Sequence, residues 1–171
     1  MFRRFRKNEE GTATVEFVIA LLPIFTIFMS SFEAAYLTAR YIMLDRALDI
    51  VIRDIRLTTG ISKTKEQIRD AICTHSLRVI PDCQASVTIE TTEINPPSWT
   101  LPDVDVPCVD RMTTDLPVTN YTQAGPNKLV LVRACAVVDP WFPLTGLGLA
   151  LTKDPSGGYQ MYSVSAYVAE P

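Results

Sequence analysis

Residues 11–33 read GTATVEFVIALLPIFTIFMSSFE and decide the organisation of the chain. From Thr12 to Phe32 there are 21 residues with a single charge, on Glu16. At about 1.5 Å per residue, a helix of that length extends about 31 Å, which matches the hydrocarbon thickness of a bilayer. The stretch therefore predicts a transmembrane helix, with Pro23 as a candidate kink in its middle.

The charges on either side of this helix predict its orientation. Four basic residues precede it: Arg3, Arg4, Arg6 and Lys7. The first seventeen residues after Phe32 contain only two basic residues, Arg40 and Arg46. The positive-inside rule places the N-terminus in the cytoplasm and the body of the chain outside it. The apolar run is too long for a signal peptide, and the helical pattern continues past it. Cleavage by a signal peptidase at the C-terminal end of the apolar run is therefore disfavoured.

The helix is expected to continue beyond the membrane to Leu57, because no glycine or proline interrupts the sequence there. Apolar residues recur at alternating spacings of three and four, which is typical of an amphipathic helix. They are Leu37, Tyr41, Leu44, Leu48, Val51 and Ile55, and we expect Arg40, Arg46, Asp49, Arg53 and Arg56 on other faces.

The remaining sequence predicts one small α+β domain. A capping box of Thr64 and Gln67 opens a short helix over residues 64–77, in which His75 is expected to be an ordinary helix-face residue. Alternating or β-branched runs predict three antiparallel strands at 86–94, 128–138 (the central one) and 159–169. Residues 95–127 form a long loop, and 140–152 form a short helix or an exposed apolar loop.

Four cysteines in a domain outside the cytoplasm predict two disulfides. Three pairings are possible, and proximity alone favours Cys73 with Cys83 and Cys108 with Cys135. Their spacing lacks the paired CxxC of a zinc site, so we expect no metal.

Charge and motif content exclude several functions. The net charge is −3, although the first eleven residues carry four basic side chains against two acidic ones. An acidic body argues against nucleic acid as a partner. We find neither a nucleophile–base pair nor a cofactor motif, so the sequence predicts a protein that is not an enzyme and has no cofactor.

Glu16 is the unusual residue of the membrane segment. A carboxylate there is costly unless it is paired, so such residues are functional by default. The simpler alternative is a solvated, inert carboxylate at the level of the cytoplasmic headgroups.

The segment Gly11-Thr12-Ala13-Thr14-Val15-Glu16-Phe17 resembles the processing site of type IV prepilins, in the G-x-x-x-x-E-F/Y form of the Flp/Tad (tight-adherence, type IVb or IVc) branch. Residues 8–53 resemble the TadE-like family of minor pilins, or pseudopilins. The positions that match the family pattern are Glu10, Gly11, Ala13, Val15, Glu16, Phe17, Pro23 and Glu33.

The resemblance implies that a prepilin peptidase cuts after Gly11, so that Thr12 becomes the mature N-terminus. A glycine suits this position because it lets a protease approach the backbone closely. Glu16, followed by Phe17, would then pair with the N-terminal amine of a neighbouring subunit during pilus assembly. The implied partners are other major and minor pilins, the inner-membrane assembly platform and the lipid bilayer.

On this interpretation the chain comprises a basic leader (1–11), a transmembrane helix (12–33), its amphipathic continuation (34–57) and an extracytoplasmic α+β domain (58–171). It would be a single-pass protein of the bacterial inner membrane with a periplasmic C-terminal domain. It would act in pilus assembly and cell adhesion, either as a subunit of the extracellular pilus or by priming its assembly. The alternatives are an unprocessed anchor that displays a binding or sensing domain and, more remotely, an anchored periplasmic hydrolase.

Overall fold

The computed structural model describes residues 12–57, 63–97, 99–102, 107–113, 117–121 and 125–169. The described chain has an α+β fold, as predicted, with a long helix followed by short helices and one antiparallel sheet. In chain order the elements are α1 (Thr12–Leu57), α2 (Lys65–His75), α3 (Cys83–Ser86), β1 (Val87–Ile94), β2 (Leu129–Val138), α4 (Gly146–Ala150) and β3 (Tyr159–Val168).

The fold comprises two compact units. Of the described residues, the first contains 12–36 together with Trp141–Leu151, and the second contains those of 37–140 together with 152–169. Because α1 runs through both units, its two parts are described separately below.

α1 is a single helix of 46 residues from Thr12 to Leu57, with the bounds that the sequence predicted. The helix continues through Pro23, whose ring is tolerated although it removes one backbone hydrogen bond. The side chains of residues 13–28, most of them apolar, are all exposed.

In the second unit α1 has a buried stripe, and two residues of the predicted stripe depart from it: Tyr41 is exposed, and Ile55 is only half-buried. Tyr41 is 45% exposed, and Arg40 is buried in its place. Either position lies three or four residues from Leu37, so spacing alone allows both. The prediction that Arg40 lies on a face other than the stripe is therefore wrong, and its Nη1 donates to the carbonyl oxygen of Asp139 at 3.1 Å. The buried apolar side chains of this part are Leu37, Leu44, Ala47, Leu48, Val51 and Ile52.

α2 begins with the capping box that the sequence predicted. The hydroxyl of Thr64 accepts a hydrogen bond from the backbone N–H of Gln67, and the Gln67 side chain accepts one from the backbone N–H of Thr64. Ile68 and Ile72 are buried, whereas His75 is exposed. An exposed histidine at a helix end fits the ordinary role expected for it.

The sheet has the order β1-β2-β3, so β2 is the central strand as predicted. One face of the sheet packs against α1. The hydroxyls of Ser163 and Ser165 in β3 donate to the carboxylates of Asp45 and Asp49 at 2.7 and 3.0 Å. Strand register puts a set of buried apolar residues on this same face: Val87, Ile89, Val130, Val132, Ala134, Ala136 and Met161.

The opposite face of the sheet contains a buried ion pair among apolar side chains, and it carries the long loop. Arg133 and Glu90 are opposite one another on β2 and β1, and their buried side chains form an ion pair at 2.5 Å. On the same face, Cys135 forms a disulfide with Cys108, and the hydroxyl of Thr88 donates to the carbonyl of Pro107. These contacts tie the described part of the 95–127 loop to the sheet.

The two disulfides are Cys73–Cys83 and Cys108–Cys135. They join the pairs that proximity in the sequence favoured, and they use all four cysteines of the chain. The first links α2 to the start of α3, a short helix that the sequence did not predict.

Gly158, just before β3, provides a test of the packing in the second unit. A Cβ there would overlap the guanidinium of Arg111 and a methyl group of Val137, whereas a Cβ on Gly125 would meet nothing within 4 Å. We expect Gly158→Ala to lower the free energy of unfolding by about 1–3 kcal/mol. Gly125→Ala should leave it unchanged or raise it slightly. Urea unfolding of the full chain in detergent measures both, and equal midpoints would contradict the packing described.

Candidate functional site

The predicted processing and assembly residues lie at the start of α1. Gly11 is outside the described residues, and Thr12 is the first residue of the helix. Glu16 follows one helical turn later, and its side chain is exposed. Phe17 is 64% exposed. The structure therefore has the carboxylate and the aromatic ring on the surface of the helix, within one and a half turns of Thr12.

Polar side chains farther along this part of α1 are satisfied by the helix itself. The hydroxyls of Thr26, Ser30 and Ser31 donate to the carbonyls of Pro23, Thr26 and Ile27 at 2.8–2.9 Å. Such back-bonding removes the need for water around these hydroxyls. It suits a helix that lies in hydrocarbon, where polar groups must find partners within the protein.

Within the described residues, α1 is the one helix long and apolar enough to cross a membrane. None of its most apolar stretch is buried in the protein. A helix with this much exposed apolar surface is a candidate membrane anchor, since water is an unfavourable environment for it.

Glu33 is the most unusual group of the first unit, because its carboxylate is only 1% exposed. It accepts two hydrogen bonds from consecutive backbone N–H groups, from Trp141 at 3.0 Å and from Phe142 at 2.9 Å. A buried carboxylate is costly unless it is hydrogen-bonded, and two charge-assisted bonds offset that cost. The arrangement joins two segments that are more than one hundred residues apart in the sequence.

Aromatic rings and a glycine near Glu33 provide further contacts between α1 and the segment that follows β2. Phe32 and Tyr36 stand four residues apart on α1, and both rings contact Trp141, with centroids 5.7 and 5.1 Å away. Gly146 approaches Ser30 so closely that a Cβ would overlap the serine hydroxyl, and its φ of 51° favours glycine. The segment Trp141–Leu151 is therefore seated on α1 between Ser30 and Tyr36.

In the sequence, Glu33 was notable only as a position of the family resemblance and as the end of the apolar run, and its partners were not predicted. The predicted alternatives for residues 140–152 both hold in part, since α4 covers Gly146–Ala150 and most of the surrounding side chains are exposed. Charge content gave no usable signal: thirteen uncharged residues stand between Asp139 and Lys153, but the uncharged run 155–169, which contains β3, is longer.

A second polar cluster lies in the second unit. Arg111 donates to both oxygens of Asp139 at 2.8 and 2.6 Å, and its Nε donates to the hydroxyl of Ser156 at 3.0 Å. The hydrogen bonds from Arg111 hold the pKa of Asp139 below its ordinary value, and Asp139 raises the pKa of Arg111. The carboxylate is therefore ionised at neutral pH and is poorly suited to take up a proton.

Beside this ion pair is a cavity of about 520 Å³, lined by residues of α3, of the 107–113 segment and of the end of β2. Val109 and Val137 contribute apolar surface to its walls, whereas Arg111, Asp139 and Asp82 contribute charges of both signs. A cavity of this kind has the size of a small-molecule site. In the part of the chain that the structure describes, no group of three or more His, Cys, Asp or Glu side chains is placed to hold a metal ion.

In comparisons with protein-family models, with curated proteins and with solved structures, nothing matches this chain.

Glu33 can be tested through the two amides that it binds. Glu33→Gln replaces one acceptor oxygen by an N–H donor, so at least one of the two amides loses its partner. Hydrogen bonds to charged groups contribute about 1.5–3 kcal/mol, and about 1.4 kcal/mol is a tenfold change in an equilibrium. We expect the amides of Trp141 and Phe142 to exchange hydrogen about 10–100-fold faster, as measured by mass spectrometry of the full chain in detergent.

The matched control is Glu16→Gln, which removes the same charge from an exposed position of the same helix. It should leave exchange at Trp141 and Phe142 unchanged. Equal exchange in wild type and in Glu33→Gln would mean that the carboxylate does not hold this segment.

Proposed function

We propose that this chain is a minor pilin or pseudopilin of the TadE-like kind, which takes part in assembly of a tight-adherence pilus after a prepilin peptidase has cut behind Gly11. One observation carries the proposal. A glycine stands five residues before Glu16-Phe17, at the start of an exposed apolar helix that continues unbroken into an α+β domain.

The exposed surface of α1 supports this role. Large apolar side chains project on all sides of residues 15–28, with Phe17, Leu22 and Ile27 each more than 60% exposed. Such a surface is stable in lipid, and it is equally suited to packing against the apolar helices of other subunits. A pilin helix needs both properties, because it is anchored in the bilayer before it enters a fibre.

The position of Glu16 supports the assembly step. Cleavage behind Gly11 would create an ammonium group at Thr12, one helical turn away, in an apolar environment. A carboxylate in such surroundings is favoured only when a positive partner is near. The exposed Glu16 would accept the N-terminal amine of a neighbouring subunit and so set the axial register of the fibre.

The second unit supports the proposed location. Disulfides persist in oxidising compartments, and the bacterial periplasm is one of them. With its N-terminus in the cytoplasm and its sheet domain in the periplasm, the protein would meet the peptidase, the assembly platform and other pilins at the inner membrane. The α+β domain would cap, prime or regulate the growing fibre.

The cavity beside Arg111 favours a second candidate function. An unprocessed, membrane-anchored protein could use it to bind a small molecule in the periplasm, since its wall combines apolar side chains with the paired charges of Arg111 and Asp139. On this alternative α1 is a permanent anchor, and residues 1–11 remain attached.

The mass of the protein distinguishes the two functions. When the chain is produced with an active prepilin peptidase and extracted from the membrane, we expect its first residue to be Thr12. Production with a catalytically inactive peptidase is the control and should give the intact chain from Met1. An intact Met1 beside active peptidase would refute processing and favour the permanent anchor.

The assembly role of Glu16 is tested by Glu16→Ala in a piliated host. A bond to a charged group contributes about 1.5–3 kcal/mol, so its loss should reduce the number of pili at least about tenfold, with cleavage behind Gly11 unchanged. Glu9→Ala is the matched control, because that carboxylate would be removed with the leader. An unchanged number of pili on cells that produce the Glu16→Ala variant would refute the assembly role of Glu16.

A further inference from the structure

The segment Trp141–Leu151, which we name the apolar loop, exposes an unusual amount of apolar surface. Trp141 is 57% exposed, Leu144 is 80% exposed and Leu149 is 64% exposed. No charged residue stands between Asp139 and Lys153. A concentration of exposed apolar side chains marks a surface that meets another apolar phase.

The apolar loop is seated at one level of α1. It contacts Ser30 through Gly146, Phe32 and Tyr36 through aromatic rings, and Glu33 through two backbone N–H groups. These four helix residues lie within two turns of each other. The level of the loop along α1 is therefore well defined.

That level coincides with the end of the membrane-spanning part. From Thr12 to Ser30 an α-helix rises about 27 Å, and to Tyr36 about 36 Å, whereas bilayer hydrocarbon is about 30 Å thick. If the apolar span starts at the cytoplasmic face, residues 30–36 lie at the opposite boundary between acyl chains and headgroups. Tryptophan and tyrosine are the side chains that favour this boundary, and Trp141 and Tyr36 meet there.

The backbone of the apolar loop is prepared for such surroundings. Irregular backbone is excluded from hydrocarbon when its polar groups lack partners. In the loop, Glu33 accepts from Trp141 and Phe142, and the N–H groups of Thr145, Leu149 and Leu151 donate to carbonyls within the loop. The carboxylate thus supplies the acceptors that water would otherwise supply.

We propose that the apolar loop inserts into the headgroup–acyl boundary of the leaflet opposite the N-terminus, as a second membrane contact beside α1. The lipid bilayer is its partner because the loop lies against a helix long enough to span one, at the depth where a bilayer ends. The inference requires only that α1 crosses a membrane, so it holds whether or not Gly11 is cut.

The two tryptophans of the chain provide a matched test. Trp141 is in the apolar loop, and Trp99, which is 58% exposed, is in the second unit. The variants Trp99→Phe and Trp141→Phe each retain one of them. The full chain is reconstituted in vesicles of phosphatidylcholine and phosphatidylglycerol in which bromine is carried near the headgroup end or at the terminus of the acyl chains.

We expect bromine near the headgroup end to quench about half or more of the Trp141 emission, because an interfacial indole lies at that depth. Bromine at the chain terminus should quench it less, and Trp99 should be quenched by neither lipid. Equal quenching of the two tryptophans would overturn the inference. So would a Trp141 that is quenched by neither lipid and whose emission changes only with protein concentration, since its partner would then be a second protein chain.

A charged substitution gives a second readout that does not depend on replacing tryptophan. Leu144→Glu, in the Trp99→Phe background, should reduce the quenching of Trp141 by about half, because a charge is expensive in the bilayer. Val118→Glu in the same background is the control, since Val118 is 99% exposed and belongs to the second unit. Unchanged quenching in Leu144→Glu would show that the loop does not enter the lipid.

Discussion

The hydrogen-bonded carboxylate of Glu33 is the point at which α1 changes its surroundings. Before it, the side chains of residues 13–28 are exposed along about four turns, and after it a stripe of residues such as Leu44 and Leu48 is fully buried. A charge at this point would be unfavourable in lipid and equally unfavourable in a protein core. Two backbone N–H groups offset this cost, because each donates a hydrogen bond to the carboxylate.

The two acidic residues of the apolar part of α1 differ in a way that bears on function. Glu33 finds its partners in the same chain, and its role is accordingly structural: it holds residues 141 and 142. Glu16 is exposed at the other end of the span, where the proposed assembly reaction would bring an amine to it. Placing a carboxylate in an apolar environment is costly for both residues. What distinguishes them is the partner, which lies in the same chain for Glu33 and would come from a neighbouring subunit for Glu16 in the proposed function.

Much of the fold could be predicted from local sequence, for identifiable reasons. α1 has the predicted bounds because a run without glycine leaves the helix uninterrupted, and the capping box of Thr64 and Gln67 sets the start of α2. The three strands lie within one or two residues of the predicted ranges because period-two patterns are local. The errors, Arg40 and Tyr41, occur where two adjacent residues fit the same helical stripe and a distant carbonyl, that of Asp139, decides between them.

By itself, the sequence determined the apolar span and the α+β class, since each depends on residues close together in the chain. The direction of the span and the processing of Gly11 stay predictions that rest on the same local residues. The tertiary structure decided what surrounds Glu33 and where the segment after β2 lies, since these depend on contacts across more than one hundred residues. The opening stretch, GTATVEFVIALLPIFTIFMSSFE, therefore contains a carboxylate at each end with different surroundings. The role proposed for Glu16 rests on its own sequence surroundings, whereas the role of Glu33 depends on two backbone groups that only the folded chain brings near.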